Sequence, residues 1–182
     1  MKKPTLLTGR IWVVKDAAGG LFNDVDTDMI FHNAHLAITD ITKMGQHAFG
    51  NLKGWKDFAT KAQPGDMILI GKNFGAGSSR QQAVDCFIAL GTAAVIAESF
   101  APIYKRNAIN SGLPIISCPG LNEAVVKHGC VNGQVLSLDL HTGAIRDESG
   151  TVIAQAQPFY QVQMDIYQAG GLFEFGKQQA AS

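Results

Sequence analysis

The chain has 182 residues, 46% of them hydrophobic, which is enough for a single domain over residues 1–182 with a substantial buried core. Fifteen Lys and Arg balance fifteen Asp and Glu, so no strong field marks a nucleic acid or a membrane surface as its partner. No apolar run approaches a bilayer span, and residues 1–10 offer Lys2 and Lys3 but only Leu6-Leu7 before Gly9-Arg10; this is not a secretory signal, and a cytoplasmic protein is expected.

In chain order, residues 10–14 read as a strand, 15–23 as a Gly-containing loop and 24–28 as a polar segment. Asp24, Asp26 and Asp28 alternate as calcium ligands can, but an EF-hand counted from Asp24 needs Gly at its sixth position and Glu at its twelfth. Met29 and His35 stand there, so that reading fails, leaving a solvated loop or part of a site. Residues 38–49 could hold a short helix, 52–61 carry Trp55 and Phe58 at helical spacing, and Gln63-Pro64-Gly65 breaks the chain before an apolar strand at 66–70. Ala83, Val84, Phe87 and Ile88 then recur at helical spacing until Gly91. A strand at 93–97, a helix at 101–110 and a strand at 113–117 complete a β-α-β-α-β run, which favours parallel strands and an α/β fold. A helix at 121–128, strands at 135–140 and 151–154 around a Gly-containing turn, and a closing helix at 159–168 follow.

The most informative stretch is Gly71-Lys72-Asn73-Phe74-Gly75-Ala76-Gly77-Ser78-Ser79-Arg80-Gln81-Gln82, where the strand at 66–70 turns into the helix that follows. Gly75 and Gly77 can take positive φ and leave room for a ligand against the backbone, and the first helical N–H groups favour an anion. Arg80 adds a permanent cation whose planar fork suits a carboxylate. The order of a P-loop is absent, because Lys72 precedes the glycines, so a nucleotide phosphate is disfavoured. Ser79 followed by Gln82 has the spacing of a capping box, which would give Ser79 a structural role and leave Ser78 inside the turn for chemistry. By the same logic Ser99 reads as a helix N-cap, and Asn107 and Asn110 as turn and packing residues.

Cys86, Cys118 and Cys130 are widely spaced with no C-x-x-C, and read as buried, inert thiols. His32 and His35 lie three apart, while His47, His128 and His141 are scattered, so no metal site is expected on this chain.

Four motifs in order resemble the aconitase family's swivel domain, in the form of the separate small subunit of 3-isopropylmalate dehydratase type enzymes. Residues 72–80 resemble its G-x-G-S-S-R turn; Asp26-Thr27-Asp28-Met29-Ile30 its D-T-D-x-I; residues 94–103 its A-V-I-A-x-S-F-A-x-I; and residues 106–114 its R-N-A-x-N-x-G-L-P. Gln157-Pro158-Phe159 and Ala169-Gly170-Gly171-Leu172 have the same look. The resemblance implies the swivelling β/β/α three-layer fold. It also implies a hydro-lyase subunit, active only with a large subunit that carries a four-iron four-sulfur cluster, and acting on a di- or tricarboxylate. Isomerisation of isopropylmalate in leucine biosynthesis is the leading expectation. Dimethylmalate, homoaconitate or citrate/methylcitrate type dehydration, or a non-catalytic anion-binding regulatory module, are the alternatives.

By family position Ser78 is the catalytic base, and Asp28, Gly77, Ser79 and Arg80 contact substrate. Where the family often has P-A-R-Y-L-R-T, this chain has His32-Asn33-Ala34-His35-Leu36-Ala37-Ile38, so both arginine positions are Ala, and His35, Leu36, Ala37 and Ile38 form the expected specificity loop. Gln81-Gln82 replaces the family's Glu-His after the arginine, removing one possible partner for Arg80.

Overall fold

A computed structural model describes residues 2–181. Its elements are, in chain order, β1 (Leu6–Val13), α1 (Thr27–Ile30), three 3₁₀ turns (Asn33–His35, Ile41–Lys43, Gly45–His47), α2 (Phe58–Lys61), β2 (Met67–Ile70), α3 (Gln82–Ala89), β3 (Ala94–Ala97), α4 (Pro102–Asn110), β4 (Ile115–Ser117), α5 (Leu121–Lys127), β5 (Val135–Asp139), β6 (Ala144–Arg146), β7 (Val152–Gln155), α6 (Gln161–Ala169) and α7 (Leu172–Ala180). The seven strands run β4-β3-β2-β1-β5-β6-β7. β1 to β4 pair in parallel, Ile11 with Met67 and Ile68 with Val95, whereas β5 to β7 pair antiparallel and join at β1 through Leu7 and Leu138.

β2 and β3 bury every residue, as expected for parallel strands covered on both faces, so their sequences show no polar alternation. Alternation persists in direction. Ile68, Ile70, Val95 and Ala97 enter one core with Phe87 of α3 and Tyr104 of α4. Met67, Leu69, Ala94 and Ile96 enter a second with Leu136, Leu138, Ile145 and Ile153 of the antiparallel strands. The sheet thus curls so that its antiparallel half covers one face of its parallel half, while α3 and α4 cover the other; these are the β/β/α layers. Among the described residues no helix is long and apolar enough to cross a membrane.

Two expected helices shrink. Residues 38–49 form the two turns at Ile41–Lys43 and Gly45–His47, and the 52–61 segment is helical only at Phe58–Lys61. Gly54 at φ 86° interrupts it, and Trp55 is held outside the helix by its Nε1–H bond to the Lys15 carbonyl (2.9 Å). β6 and α7 are not anticipated by the pattern: β6 has three residues and a register shift, and α7 buries none of its side chains.

Asp66 ties the start of β2 to β1. Its carboxylate accepts from Arg10 Nε (3.0 Å) and Nη2 (2.7 Å), Trp12 Nε1 (2.8 Å) and the Gln63 amide (2.8 Å). Burial pushes this carboxyl's pKa up, but the bonds from Arg10, Gln63 and Trp12 outweigh it and hold the group below its ordinary value. Asp66→Asn should therefore cost about 2–3 kcal/mol near neutral pH, read as a lower urea midpoint. A depressed native pKa gives stability that is present above the unfolded value of about 4 and lost as pH falls through the native one, so the gap between the two proteins should close in acid.

Candidate functional site

Backbone pairing assembles the site. Phe74 donates its N–H to the Ser99 carbonyl (3.0 Å) and Gly75 to Val25 (2.8 Å), while Thr27 N–H reaches Ala76 O (2.9 Å) and Ala101 N–H reaches Phe74 O (2.9 Å). The turn after β2 is thereby stitched between the segment that enters α1 and the segment that enters α4. Gly75 (φ 80°) and Gly77 (φ 89°) take the left-handed conformation expected of them. At Gly75 a Cβ would overlap the Tyr104 ring, which packs edge-on against Phe74. Asn107 Nδ2 donates to Ser79 Oγ (3.3 Å), so all four motifs meet at this turn.

The three aspartates divide their work. Asp24, at φ 55°, accepts from Asn73 Nδ2 (2.9 Å), and Asp26 caps α1 by accepting from the Met29 amide (2.8 Å). Asp28 is ion-paired with Arg80 at 2.7 Å and accepts from the Asn33 amide (3.0 Å) and Asn51 Nδ2 (3.0 Å). The Arg80 bond foremost, with help from Asn33, keeps the Asp28 carboxyl below its ordinary pKa. Asp28 therefore fills the place of the partner that Gln81 and Gln82 do not supply. Gln81 reaches Asp85 and Ser111 instead (both 2.8 Å). Arg80 Nη1 also donates to the Phe31 carbonyl (3.0 Å), and its Nε and Nη2 have no acceptor among the described residues. One half of the fork is fixed, and the other is available to a carboxylate.

Ser78 and Ser79 are exposed. Thr27 Oγ1 donates to the Ser78 carbonyl (3.0 Å) and lies 3.5 Å from Ser78 Oγ. The capping-box expectation for Ser79 fails: α3 begins at Gln82, its N-cap is Gln81, and no side chain caps it. The backbone N–H groups of residues 77–82 meet no acceptor among the described residues, which is the donor set of an anion-binding turn. Ser99 also differs from expectation. Its Oγ accepts from the Asn73 amide (2.9 Å), bracing the turn, and the N-cap of α4 is Ala101.

The loop from His32 follows Asp28 directly. His35 and Ile38 are half-buried, whereas Leu36 and Ala37 are exposed. The His35 ring stacks on His47 at 3.8 Å.

The thiols do not suit an iron–sulfur cluster. Cys86 is buried in the core beneath α3, while Cys118 and Cys130 are buried in the opposite core. Burial raises all three thiol pKa values, that of Cys118 to about 11, against the thiolate form a cluster requires. No group of three His, Cys, Asp or Glu among the described residues could hold a metal ion.

Thr27 and Asn51 are not among the predicted site residues: Thr27 lies inside the D-T-D-x-I motif, whereas Asn51 lies in an irregular segment with no periodic signal.

Residues 55–119 match the aconitase C-terminal domain family. The 3-isopropylmalate dehydratase small subunit of Caldicellulosiruptor bescii is 39% identical over 165 residues, covering 91% of this chain and 95% of that protein. The isopropylmalate/citramalate isomerase small subunit of Methanocaldococcus jannaschii is 37% identical over 177 residues, covering 97% of each. The crystal structure of the 3-isopropylmalate dehydratase LeuD from that organism superposes with a TM-score of 0.81 at 31% identity, covering 97% of this chain and 96% of the other. Agreement along almost the whole length, in sequence and in fold, leads to one conclusion: the chain belongs to the aconitase family, among the small subunits of 3-isopropylmalate dehydratase type hydro-lyases.

Proposed function

We propose that this chain is the cytoplasmic small subunit of a two-subunit isomerase of a 2-hydroxy diacid, with isopropylmalate as substrate, and that it supplies the proton-transfer and carboxylate-binding half of the site. The observation that carries this reading is Arg80, pinned through Nη1 to Asp28 and Phe31 with Nε and Nη2 unpaired among the described residues, on the same turn as the exposed Ser78. An iron–sulfur cluster on the large subunit supplies Lewis acidity toward the substrate hydroxyl. Arg80 grips a substrate carboxylate through the free edge of its fork, and Asp28 keeps the guanidinium from swinging away. Ser78 Oγ takes the proton from the carbon next to the hydroxyl-bearing one as the hydroxyl leaves as water; on rehydration it delivers a proton to the carbon that lost the hydroxyl while water adds to the other, which completes the isomerisation. The anionic form of Ser78 is favoured by Arg80 and by the unpaired amides of the turn. Ser79 and Gly77 contribute contacts to the same carboxylate. The exposure of Ser78 accords with a site closed by a second subunit, because a serine alkoxide needs exclusion from water.

Purified alone, the chain should show no iron–sulfur absorbance and no turnover, and anaerobic addition of the large subunit should restore activity. Cluster absorbance reconstituted on this chain by itself, and lost on replacing its cysteines, would contradict the proposal. In the reconstituted enzyme Ser78→Ala should lower kcat at least about a hundredfold with little change in KM, whereas Arg80→Lys should also raise KM, since an ammonium cannot replace the fork. Loss of turnover with Ser79→Ala, and none with Ser78→Ala, would reverse the roles assigned to the two serines.

The loop carrying His35, Leu36, Ala37 and Ile38 faces the substituent of the malate. It offers no permanent cation, so a third carboxylate buried there unpaired costs several kcal/mol, whereas an alkyl group gains about 1 kcal/mol per carbon. Steady-state kcat/KM should therefore favour isopropylmalate and dimethylmalate over citrate, and Ala37→Arg should raise the citrate value. Citrate as the best substrate would show that this loop does not set the choice.

A further inference from the structure

In the specificity loop Leu36 and Ala37 are exposed between half-buried His35 and Ile38, so their placement depends on contacts with neighbouring segments. On one side the loop is moored by the site itself: the Asn33 amide donates to Asp28, and the Phe31 carbonyl accepts from Arg80. On the other side Ile38 packs against the core beneath α3, and ahead of the exposed pair the contact is aromatic. The His35 and His47 rings stack with centroids 3.8 Å apart and planes 21° apart, and the buried Phe31 ring sits edge-on to both, at 6.1 and 5.8 Å. The remaining polar tie, from Gln82 Nε2 to the Leu36 carbonyl, is long at 3.4 Å.

His47 is itself anchored. It closes the 3₁₀ turn Gly45–His47, in which Gly45 is buried against α3 so closely that a Cβ there would lie 3.2 Å from Leu90 Cδ2. The turn thus packs against the C-terminal end of α3, whose first residue, Gln82, lies two positions after Arg80. A continuous packed path therefore runs from Arg80 through α3 and Gly45 to His47, then through the ring stack to His35 and the exposed pair beyond it. Burial, then the neighbouring His35, hold His47 below the ordinary imidazole pKa, which keeps its ring neutral and stackable near pH 7.

From this geometry we infer that His47 is a positioning residue for substrate discrimination: by stacking on His35 it fixes how Leu36 and Ala37 are presented to the substituent of the substrate. The inference rests on the reading that residues 35–38 face that substituent. It needs a ring at position 47, not a proton donor. Among the described residues His47 has no hydrogen bond or ion pair with Asp28, Ser78 or Arg80.

The test is the ratio of kcat/KM for isopropylmalate to that for citrate, measured on the reconstituted two-subunit enzyme. His47→Ala should lower this ratio about tenfold, through a raised KM for isopropylmalate with kcat nearly unchanged, as expected when an apolar contact is misplaced. His47→Phe should restore the ratio, because it keeps the ring. If His47→Ala fails to fold, His47→Gln, which keeps polarity and bulk without a ring, takes its place with the same expectation. A ratio left intact in the Ala or Gln variant overturns the inference, as does a Phe variant no better than Gln. Leu36→Ala and Ala37→Arg separate the two levels. If they move the ratio and His47 variants do not, the positioning role alone is lost; if neither does, the assignment of the specificity loop falls with it.

Discussion

Everything at the site depends on the turn after β2 being clamped from both sides, and that clamp requires the missing side chain of Gly75. With no Cβ, Gly75 lets the Tyr104 ring of α4 close onto the turn while its N–H reaches Val25, so α1 and α4 approach the turn together. Phe74 fixes the same point from below, its ring among Phe49, Phe87, Phe100 and Tyr104. A buried aromatic and a glycine in sequence thus convert a loop, ordinarily the mobile part of a fold, into a rigid platform. Ser78 and Arg80 project from that platform, and their relative placement follows from the backbone.

The electrostatics build on this frame. Arg80 next to unpaired amides would be a general anion trap, but Asp28 holds one edge of the guanidinium and orients it. What remains is directional: the free edge of a guanidinium, a hydroxyl and a row of N–H donors. Such a set suits a planar carboxylate attached to a carbon that must be deprotonated. The thiols take no part, because two separate cores hold them with their protons retained. The proposed division between subunits accords with this chemistry: this chain presents amide, guanidinium and hydroxyl groups at the turn, and its thiols lie apart from it.

Much of this was legible in the residues. The strand at 66–70, the glycines in positive φ and the parallel run through residue 117 all follow from local rules, since a buried strand, a turn and an amphipathic helix each leave their own pattern. The resemblance placed four motifs in order, and the fold brings all of them to one point. What was not legible depends on distance in sequence. The Arg80–Asp28 pair spans 52 positions and the Asn51 contact with Asp28 spans 23, and nothing local announces either. Ser79 shows the opposite error: its spacing to Gln82 satisfies a local capping rule, yet the chain enters α3 three residues later and Asn107 takes the hydroxyl. β6 and α7 escaped because three residues are too few for a period, and a helix without buried side chains owes its place to neighbours.

If this turn forms one wall of the substrate site, a crystal structure of the two-subunit enzyme with isopropylmalate bound will show a substrate carboxylate oxygen about 3 Å from Arg80 Nε or Nη2, with Ser78 Oγ facing the carbon that loses its proton. Substrate carboxylates held wholly by the large subunit, with Ser78 and Arg80 out of contact, would place the site elsewhere.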